Sequence, residues 1–548
     1  MRTKTLLLTA VAGLSFGVPA LAADAPRSVT APKSVDAAKA AAPDRGVLFT
    51  PVSSESEGSV TVEGKAIPYH AVAGTIIVHP KDWDDASWHE QSDSDLGDKK
   101  NAKAEASIFY AAYFKKGVPS AERPITFLYN GGPGSSTVWL HMGAFGPRRV
   151  VTSDDSHTPA APYSLINNNY SLLDVSDVVF IDAPGTGFSR IAGKDKEKAF
   201  FGIDADAYAF GEFIKGFLSK YGRWNSPKYL FGESYGTPRS AVLINNLTTE
   251  DNIDFNGVIL LSQILDFSLF AGLQGANPGN VEGYVTQLPT MAATAWYHNR
   301  VPGGRPAALE PFLKEAEHFA STDYAAALAQ GNEIDPAAKQ QVAEKLARYT
   351  GLPVPYILKA DLRIDGPTFS KKLQDEAGLT TGRLDTRFSG PDIDPLSKDA
   401  DYDPQSASLS SAYVSALNAY VRKDLGYGKD EIFKPSIDVF KYWDWSHAAP
   451  GAQSFKMVGT SVLPDLASAM KYNPQLKIMV DGGYYDLATP YYQGWYEMHH
   501  LPISANLRQN VEYHYYESGH MVYAHLDSLR KLHEDVANFI RKTDNIGS

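Results

Sequence analysis

Gly232-Glu233-Ser234-Tyr235-Gly236 is the first stretch whose residue types and spacing could do chemistry. A serine hydroxyl is a poor nucleophile until a base takes its proton and the backbone lifts it clear of its neighbours. Glycines two residues to either side permit a turn so tight that backbone meets backbone, with no room for Cβ atoms. A helix starting just after the serine would put partial positive charge beneath an oxyanion formed there. The reaction open to such a group is acyl transfer. The same G-x-S-x-G spacing recurs at Gly13-Leu14-Ser15-Phe16-Gly17, so the pentapeptide alone decides nothing. Context separates the two: Tyr229-Leu230-Phe231 reads as a strand and Thr237 to Leu247 as a helix, the strand–turn–helix setting of a nucleophile elbow.

The base should be an imidazole held in one tautomer by an acid, and in folds with this elbow the chain order is serine, acid, histidine. Of 14 histidines, His520 is the best placed, in Glu517-Ser518-Gly519-His520-Met521-Val522, past the last apolar strand and before the last helix. His525, His514, His499 and His500 are rivals that read better as surface or core residues. The acid lies in Asp481-Gly482-Gly483-Tyr484-Tyr485-Asp486. Asp486 is in the loop proper, whereas Asp481 is nearer the strand end and could be a turn-former; spacing alone leaves both open.

The elements that must position these groups follow a simple rhythm. Residues 59–78 and Ile108 to Phe114 suggest an antiparallel opening, with a polar loop over residues 81–104. Short apolar strands then end in turn residues: Ile125 to Tyr129 before Asn130-Gly131-Gly132-Pro133-Gly134, and Val178 to Ile181 before Asp182-Ala183-Pro184-Gly185. Phe210, Phe213, Ile214, Phe217, Leu218 and Tyr221 fall at helical spacing, and Val258 to Leu261 is a further strand. Alternating strands and helices with glycines at the strand ends predict a parallel α/β sheet with a site along its C-terminal edge. The rhythm stops from about residue 267 to 450 and resumes with Lys477 to Val480 and Val511 to Tyr516. The predicted organisation is a core over residues 47–266, a largely helical cap insertion over 267–450, and the rest of the core over 451–548.

Composition narrows the function classes. The chain has 548 residues, 43% apolar and 21% charged, with 51 Lys plus Arg against 63 Asp plus Glu and a formal charge of −12. That balance, with no basic run, argues against nucleic acid as a partner. The absence of cysteine excludes disulfides, thiolate metal sites and a cysteine nucleophile. Residues 1–22 read as a signal peptide: Arg2 and Lys4, an apolar run from Leu6 to Pro19, then Ala20-Leu21-Ala22 as a cleavage site. The run is too short for a stable membrane anchor. Residues 23–46, rich in Ala, Pro and Lys, read as a mobile leader. The expected location is periplasmic or secreted.

Four motifs in order resemble the serine carboxypeptidase family (peptidase family S10), here in the form of a bacterial secreted member: Asn130-Gly131-Gly132-Pro133-Gly134-Ser135-Ser136, the Ser234 pentapeptide, Asp486 in its loop, and Gly519-His520-Met521-Val522. The resemblance implies an α/β-hydrolase fold and a serine-type carboxypeptidase releasing C-terminal amino acids from peptides through an acyl-enzyme, with an esterase or acyltransferase as the alternative. It implies Ser234 as nucleophile, His520 as base and Asp486 as the orienting acid. It implies the backbone amides of Gly132 and Tyr235 as the oxyanion hole, Asn130 and Glu233 as the grip on the terminal carboxylate, and Met521 as a wall of the leaving-residue pocket. A carboxylate can hold a carboxylate only if one carries a proton, so this grip favours acidic conditions or a raised pKa. The family supports the glutamate with a second Glu and a Trp, where this chain has Ala144 and Leu128. Arg148 or Arg149 could supply a cationic partner instead. Ser135 stands where eukaryotic members usually carry a disulfide cysteine, and Tyr523 where a proline often follows the histidine motif. No cofactor and no metal are called for. The expected partners are peptide substrates, with a homodimer as the one self-association entertained.

Overall fold

The computed structural model describes residues 48–83, 102–269, 278–452, 456–458 and 461–546. The signal peptide and leader predicted over residues 1–46 lie outside the described residues, as does most of the polar loop predicted over 81–104.

Among the described residues ten strands form one sheet: β1 (Ser53–Val62), β2 (Lys65–Val78), β3 (Glu105–Lys115), β4 (Ile125–Tyr129), β5 (Asp177–Ile181), β6 (Arg190–Ala192), β7 (Lys228–Glu233), β8 (Gly257–Leu261), β9 (Lys477–Gly483) and β10 (Val511–Tyr516). Their order is β1-β2-β3-β5-β4-β7-β8-β9-β10, with β6 beside β3. β1, β2, β3 and β5 pair antiparallel in turn, and every pairing from β5 to β10 is parallel. The opening hairpin is longer than the apolar pattern indicates. Its β1 strand alternates exposed and half-buried residues, so half of it carries no hydrophobic signal, and the Glu63-Gly64 turn, with φ of +48° and +76°, closes the ribbon.

Side-chain alternation sorts the parallel strands onto two cores. Phe127, Leu230, Val258, Leu260 and Ile478 face one side, covered by α1 (Ile203–Tyr221) and α2 (Gly236–Thr249). Leu128, Phe231, Ile259, Leu261 and Met479 face the other. Such near-continuous apolar strands are what a sheet covered on both faces requires.

β8 and β9 are neighbours in the sheet, yet the chain between them holds α3 (Glu282–Tyr297), α4 (Leu309–Phe319), α5 (Pro336–Thr350), α6 (Pro404–Lys423) and α7 (Leu463–Tyr472). α3, α4 and α5 share a third core that runs on into Tyr485, Leu487, Tyr491 and Tyr492, at the end of β9 and in α8 (Tyr491–His499). α9 (Leu526–Thr543) closes the chain against the second sheet face. The parallel sheet, its helical layers and the elbow described next constitute an α/β-hydrolase fold.

The topology sets where a site can form. Leaving β4 the chain crosses to β5 on one side; β7 lies on the other. The C-terminal ends of β4 and β7 therefore meet at a point where the sheet order reverses, the usual position of a ligand crevice.

Candidate active site

Register brings the first two motifs together: Tyr129 pairs with Gly232, so Asn130 and Gly131 emerge beside Glu233 and Ser234. Ser234 sits at φ +59°, in the left-handed region, with Tyr235 at the start of α2 already right-handed. For a residue with a Cβ this conformation costs about 1–2 kcal/mol, and the surroundings enforce it. The Ser234 amide donates to Leu261 O at 3.0 Å, and Thr237 N–H and its hydroxyl both return to Ser234 O at 2.8 Å. A Cβ on Gly232 would stand 2.2 Å from Gly236 O, so the turn closes only over a bare backbone.

The loop after β4 is packed tightly in place. A Cβ on Gly131 would lie 2.2 Å from the Tyr235 nitrogen, so this backbone packs directly against the elbow. Ser135 N–H donates to Gly131 O at 3.0 Å, and Arg239 Nη1 on α2 donates to Asn130 O at 2.8 Å. Arg239 is in turn clamped by Asp206 on α1, at 2.6 and 3.2 Å. The Gly132 and Tyr235 amides lie on these two abutting segments, and among the described residues neither donates to a protein acceptor. The Tyr235 ring is held edge-on to Trp443, with centroids 5.1 Å apart.

His520 and Asp486 meet across the ends of β9 and β10. His520 Nδ1 lies 2.7 Å from Asp486 Oδ2. A carboxylate can only accept, so Nδ1 carries the hydrogen and Nε2 of the neutral ring is left bare. Asp486 is fully buried; its Oδ1 accepts from Ala488 and Thr489 N–H at 2.8 and 3.0 Å, and its Oδ2 also accepts from the Thr489 hydroxyl at 2.8 Å. Burial opposes charge on His520, but Asp486 and, more weakly, Glu233 outweigh it and raise its pKa above the ordinary value. Ser262, just past β8, donates its hydroxyl to His520 O at 2.7 Å, which ties the histidine loop to the strand beside Ser234. Among the described residues the Ser234 hydroxyl makes no hydrogen bond to the ring; such contacts are often long before substrate arrives.

The spatial arrangement separates the acids that spacing left open. Asp481, still on β9, accepts from Tyr516 Oη at 3.0 Å and is pushed up to about 8 by burial, while Asp486 reaches the imidazole. The rival histidines sit elsewhere: His525 against Ser528, His514 against Glu512, and His499 and His500 against carbonyls of their own helix.

Glu233 is 3% exposed, and burial pushes it up to about 7 against the pull of His520, the Tyr523 hydroxyl and the Asn130 amide. Tyr523 Oη donates to Glu233 Oε2 at 2.9 Å. Asn130 uses its Oδ1 to accept from Leu140 N–H at 3.2 Å. Ala144 and Leu128 are buried apolar residues of the second core, as is Met521 at 7% exposure. Arg149 Nε is buried without a partner, while its Nη1 donates to Val150 O at 3.4 Å. Tyr523 stands out in the sequence as the residue in place of a proline, whereas Thr489, Arg239 and Ser262 do not stand out. Tyr523, Arg239 and Ser262 carry no local signal, because each acts on a residue distant along the chain, whereas Thr489 stands three residues from the Asp486 it bonds.

Residues 96–268 match the family model described as serine carboxypeptidase. That stretch is serine carboxypeptidase-like. It includes the Asn130 loop and the Ser234 elbow and stops before Asp486 and His520. Over 144 residues the chain is 31% identical to a carboxypeptidase Y homolog of Arthroderma benhamiae, covering 26% of each protein. Over 227 residues it is 27% identical to serine carboxypeptidase-like 36 of Arabidopsis thaliana, covering 38% of this chain and 44% of that protein. The chain thus spans less than half the length of these serine carboxypeptidase relatives. Among solved structures it is similar to the proline iminopeptidase of Mycobacterium smegmatis, with a TM-score of 0.33, 13% identity, and coverage of 90% of this chain and 100% of that one. Among the described residues no helix is long and apolar enough to cross a membrane, and no group of three or more His, Asp or Glu is placed to hold a metal ion.

Proposed function

We propose that this chain is a serine carboxypeptidase that releases C-terminal residues from peptides through an acyl-enzyme. The observation that carries the reading is the 2.7 Å His520–Asp486 contact on the same sheet edge as a left-handed Ser234. Ser234 Oγ attacks the scissile carbonyl while His520 Nε2 takes its proton. The tetrahedral oxyanion is held by the Gly132 and Tyr235 amides, and His520 returns the proton to the leaving amine. Water then repeats the cycle on the acyl-enzyme. Asp486 keeps the ring in the tautomer that leaves Nε2 bare. Glu233, neutral below about pH 7, donates to the terminal carboxylate of the substrate beside Asn130. Tyr523 substitutes in part for the partners that Ala144 and Leu128 do not provide, and Met521 lines the leaving-residue pocket. The signal-like N-terminus supports export of the chain to the periplasm or medium.

An esterase or acyltransferase is the second reading, favoured by the apolar Ala144 and Leu128 beside the proposed grip. One experiment distinguishes them. Fluorophosphonate labels the wild type and not Ser234→Ala, and an N-blocked dipeptide is cleaved at least tenfold faster than its C-terminal amide below pH 7. Equal rates on the two substrates reject the carboxylate grip; absence of labelling rejects the nucleophile.

A further inference from the structure

One short segment of the inserted chain touches both loops that carry the imidazole and its acid. Between α3 and α6, residues 383–388 form a turn closed on itself: Gly382 N–H donates to Phe388 O at 2.8 Å, and Phe388 N–H to Asp385 O at 3.1 Å. From this turn four hydrogen bonds leave for the site. Arg383 O accepts from Leu487 N–H at 3.0 Å, and Thr386 N–H donates to Tyr485 O at 2.9 Å, so the two neighbours of Asp486 are both held. Leu384 O accepts from the His520 amide at 2.6 Å, and Asp385 Oδ2 accepts from the Gly519 amide at 3.1 Å.

Asp385 is fully buried, and its carboxylate is fixed before it meets Gly519. Arg387 grips it through Nε at 3.0 and 3.2 Å and Nη2 at 2.6 Å, and the Arg387 amide adds a bond at 3.0 Å. The approach is close enough to dictate sequence. A Cβ on Gly519 would stand 2.4 Å from Asp385 Cβ and 2.5 Å from Leu384 O. The glycine before His520 is therefore required by the inserted segment and not by the histidine loop's own turn. The segment is itself tied to α3, through Thr386 Oγ1 with Thr294 Oγ1 and His298 Nε2 with Thr386 O, both at 2.6 Å.

We infer that residues 383–388 act as a strap that sets the separation of His520 from Asp486, with Asp385 as the positioning residue. This rests on the hydrolase reading for its effect on rate, though not for its effect on the imidazole. The carboxylate–imidazole bond joins two loops from different strands, which also meet directly where Tyr485 N–H donates to Ser518 O at 3.0 Å. The strap bonds to both, so a shift of α3 passes to the base. A displacement of about 1 Å at a catalytic group can cost about 100-fold in rate.

The test compares Asp385→Ala and Asp385→Asn with the wild type by kcat, KM, thermal melting and the downfield proton signal of His520 Nδ1 in protein labelled with nitrogen-15 histidine. The Asn variant keeps an oxygen for the Gly519 amide. The expected result is kcat reduced about 100-fold in Asp385→Ala and about tenfold in Asp385→Asn, with KM within threefold. The Nδ1 proton signal should be broadened in Ala and partly restored in Asn. Should Asp385→Ala not fold, Asp385→Asn alone carries the test at its smaller amplitude. The inference is overturned if Asp385→Asn keeps kcat within twofold and an unshifted proton signal, or if activity falls only with the folded fraction. Failure of the parent reading looks different: the wild type is then unlabelled by fluorophosphonate, while the proton signal still reports on the strap.

Discussion

Asp486→Asn tests the site with the least change in shape. In the native loop Oδ1 accepts from two backbone amides, at 2.8 and 3.0 Å, and Oδ2 faces the Thr489 hydroxyl and His520 Nδ1, at 2.8 and 2.7 Å. Asparagine offers one oxygen and one NH₂. The backbone amides can only donate, so they claim the oxygen, and the NH₂ is turned toward Thr489 and His520. Thr489 adapts: its hydroxyl accepts from the amide and turns its one hydrogen to Ser262 O, 2.9 Å away. His520 adapts only by presenting a bare Nδ1, which moves its hydrogen to Nε2. Nε2 then carries a hydrogen and cannot take one from the proposed nucleophile, Ser234. In serine hydrolases with this logic the loss is about 10⁴-fold in kcat, or about 5 kcal/mol. The fold should lose only about 1 kcal/mol, since every hydrogen bond retains a partner. The assay is steady-state hydrolysis of an N-blocked dipeptide near pH 6, beside a melting curve. A variant that keeps more than about one hundredth of wild-type kcat while melting normally would falsify the tautomer argument.

Gly131→Ala places a Cβ 2.2 Å from the Tyr235 nitrogen; a fall in kcat of at least about 10²-fold with KM little changed is expected, as for loss of one oxyanion donor, and unchanged turnover would remove Gly132 and Tyr235 as that pair. Tyr523→Phe deletes a bond that lowers the Glu233 pKa, so burial acts less opposed and the pKa rises beyond about 7. The alkaline limb for free C-terminal substrates should then shift to higher pH, while the amide substrate shows no such limb; an unmoved limb counts against Glu233 as the grip. His447, 3% exposed, lies between Asp204 and Asp465 at 2.6 and 2.8 Å; burial disfavours its charge, but the two carboxylates prevail and raise it to about 9. Its contribution, about 3 kcal/mol, is complete below about pH 6.5 and is lost as pH rises through 9. Melting temperature should fall over that interval in the wild type and stay flatter in His447→Gln; parallel curves would refute the assignment.

What sequence could determine here was whatever a few adjacent residues decide. The apolar runs at 125–129, 178–181, 229–231 and 258–261 became parallel strands because a sheet covered on both faces needs side chains that are apolar on both. The elbow at Ser234 was legible because it writes its glycines beside it, whereas the Gly519 beside His520 answers to Leu384 and Asp385, far away in sequence. The choice between Asp481 and Asp486 was not legible from spacing, since both are buried near the end of one strand and only the position of the His520 loop distinguishes them. The tertiary structure alone decided the rest: Arg239 and Asp206 bracing the Asn130 loop, Tyr523 donating to Glu233, and residues 383–388 reaching the loops of both Asp486 and His520. Each of these is a hydrogen bond between residues far apart in sequence, often to a backbone atom. Such bonds leave no periodicity or spacing to read until the chain has folded.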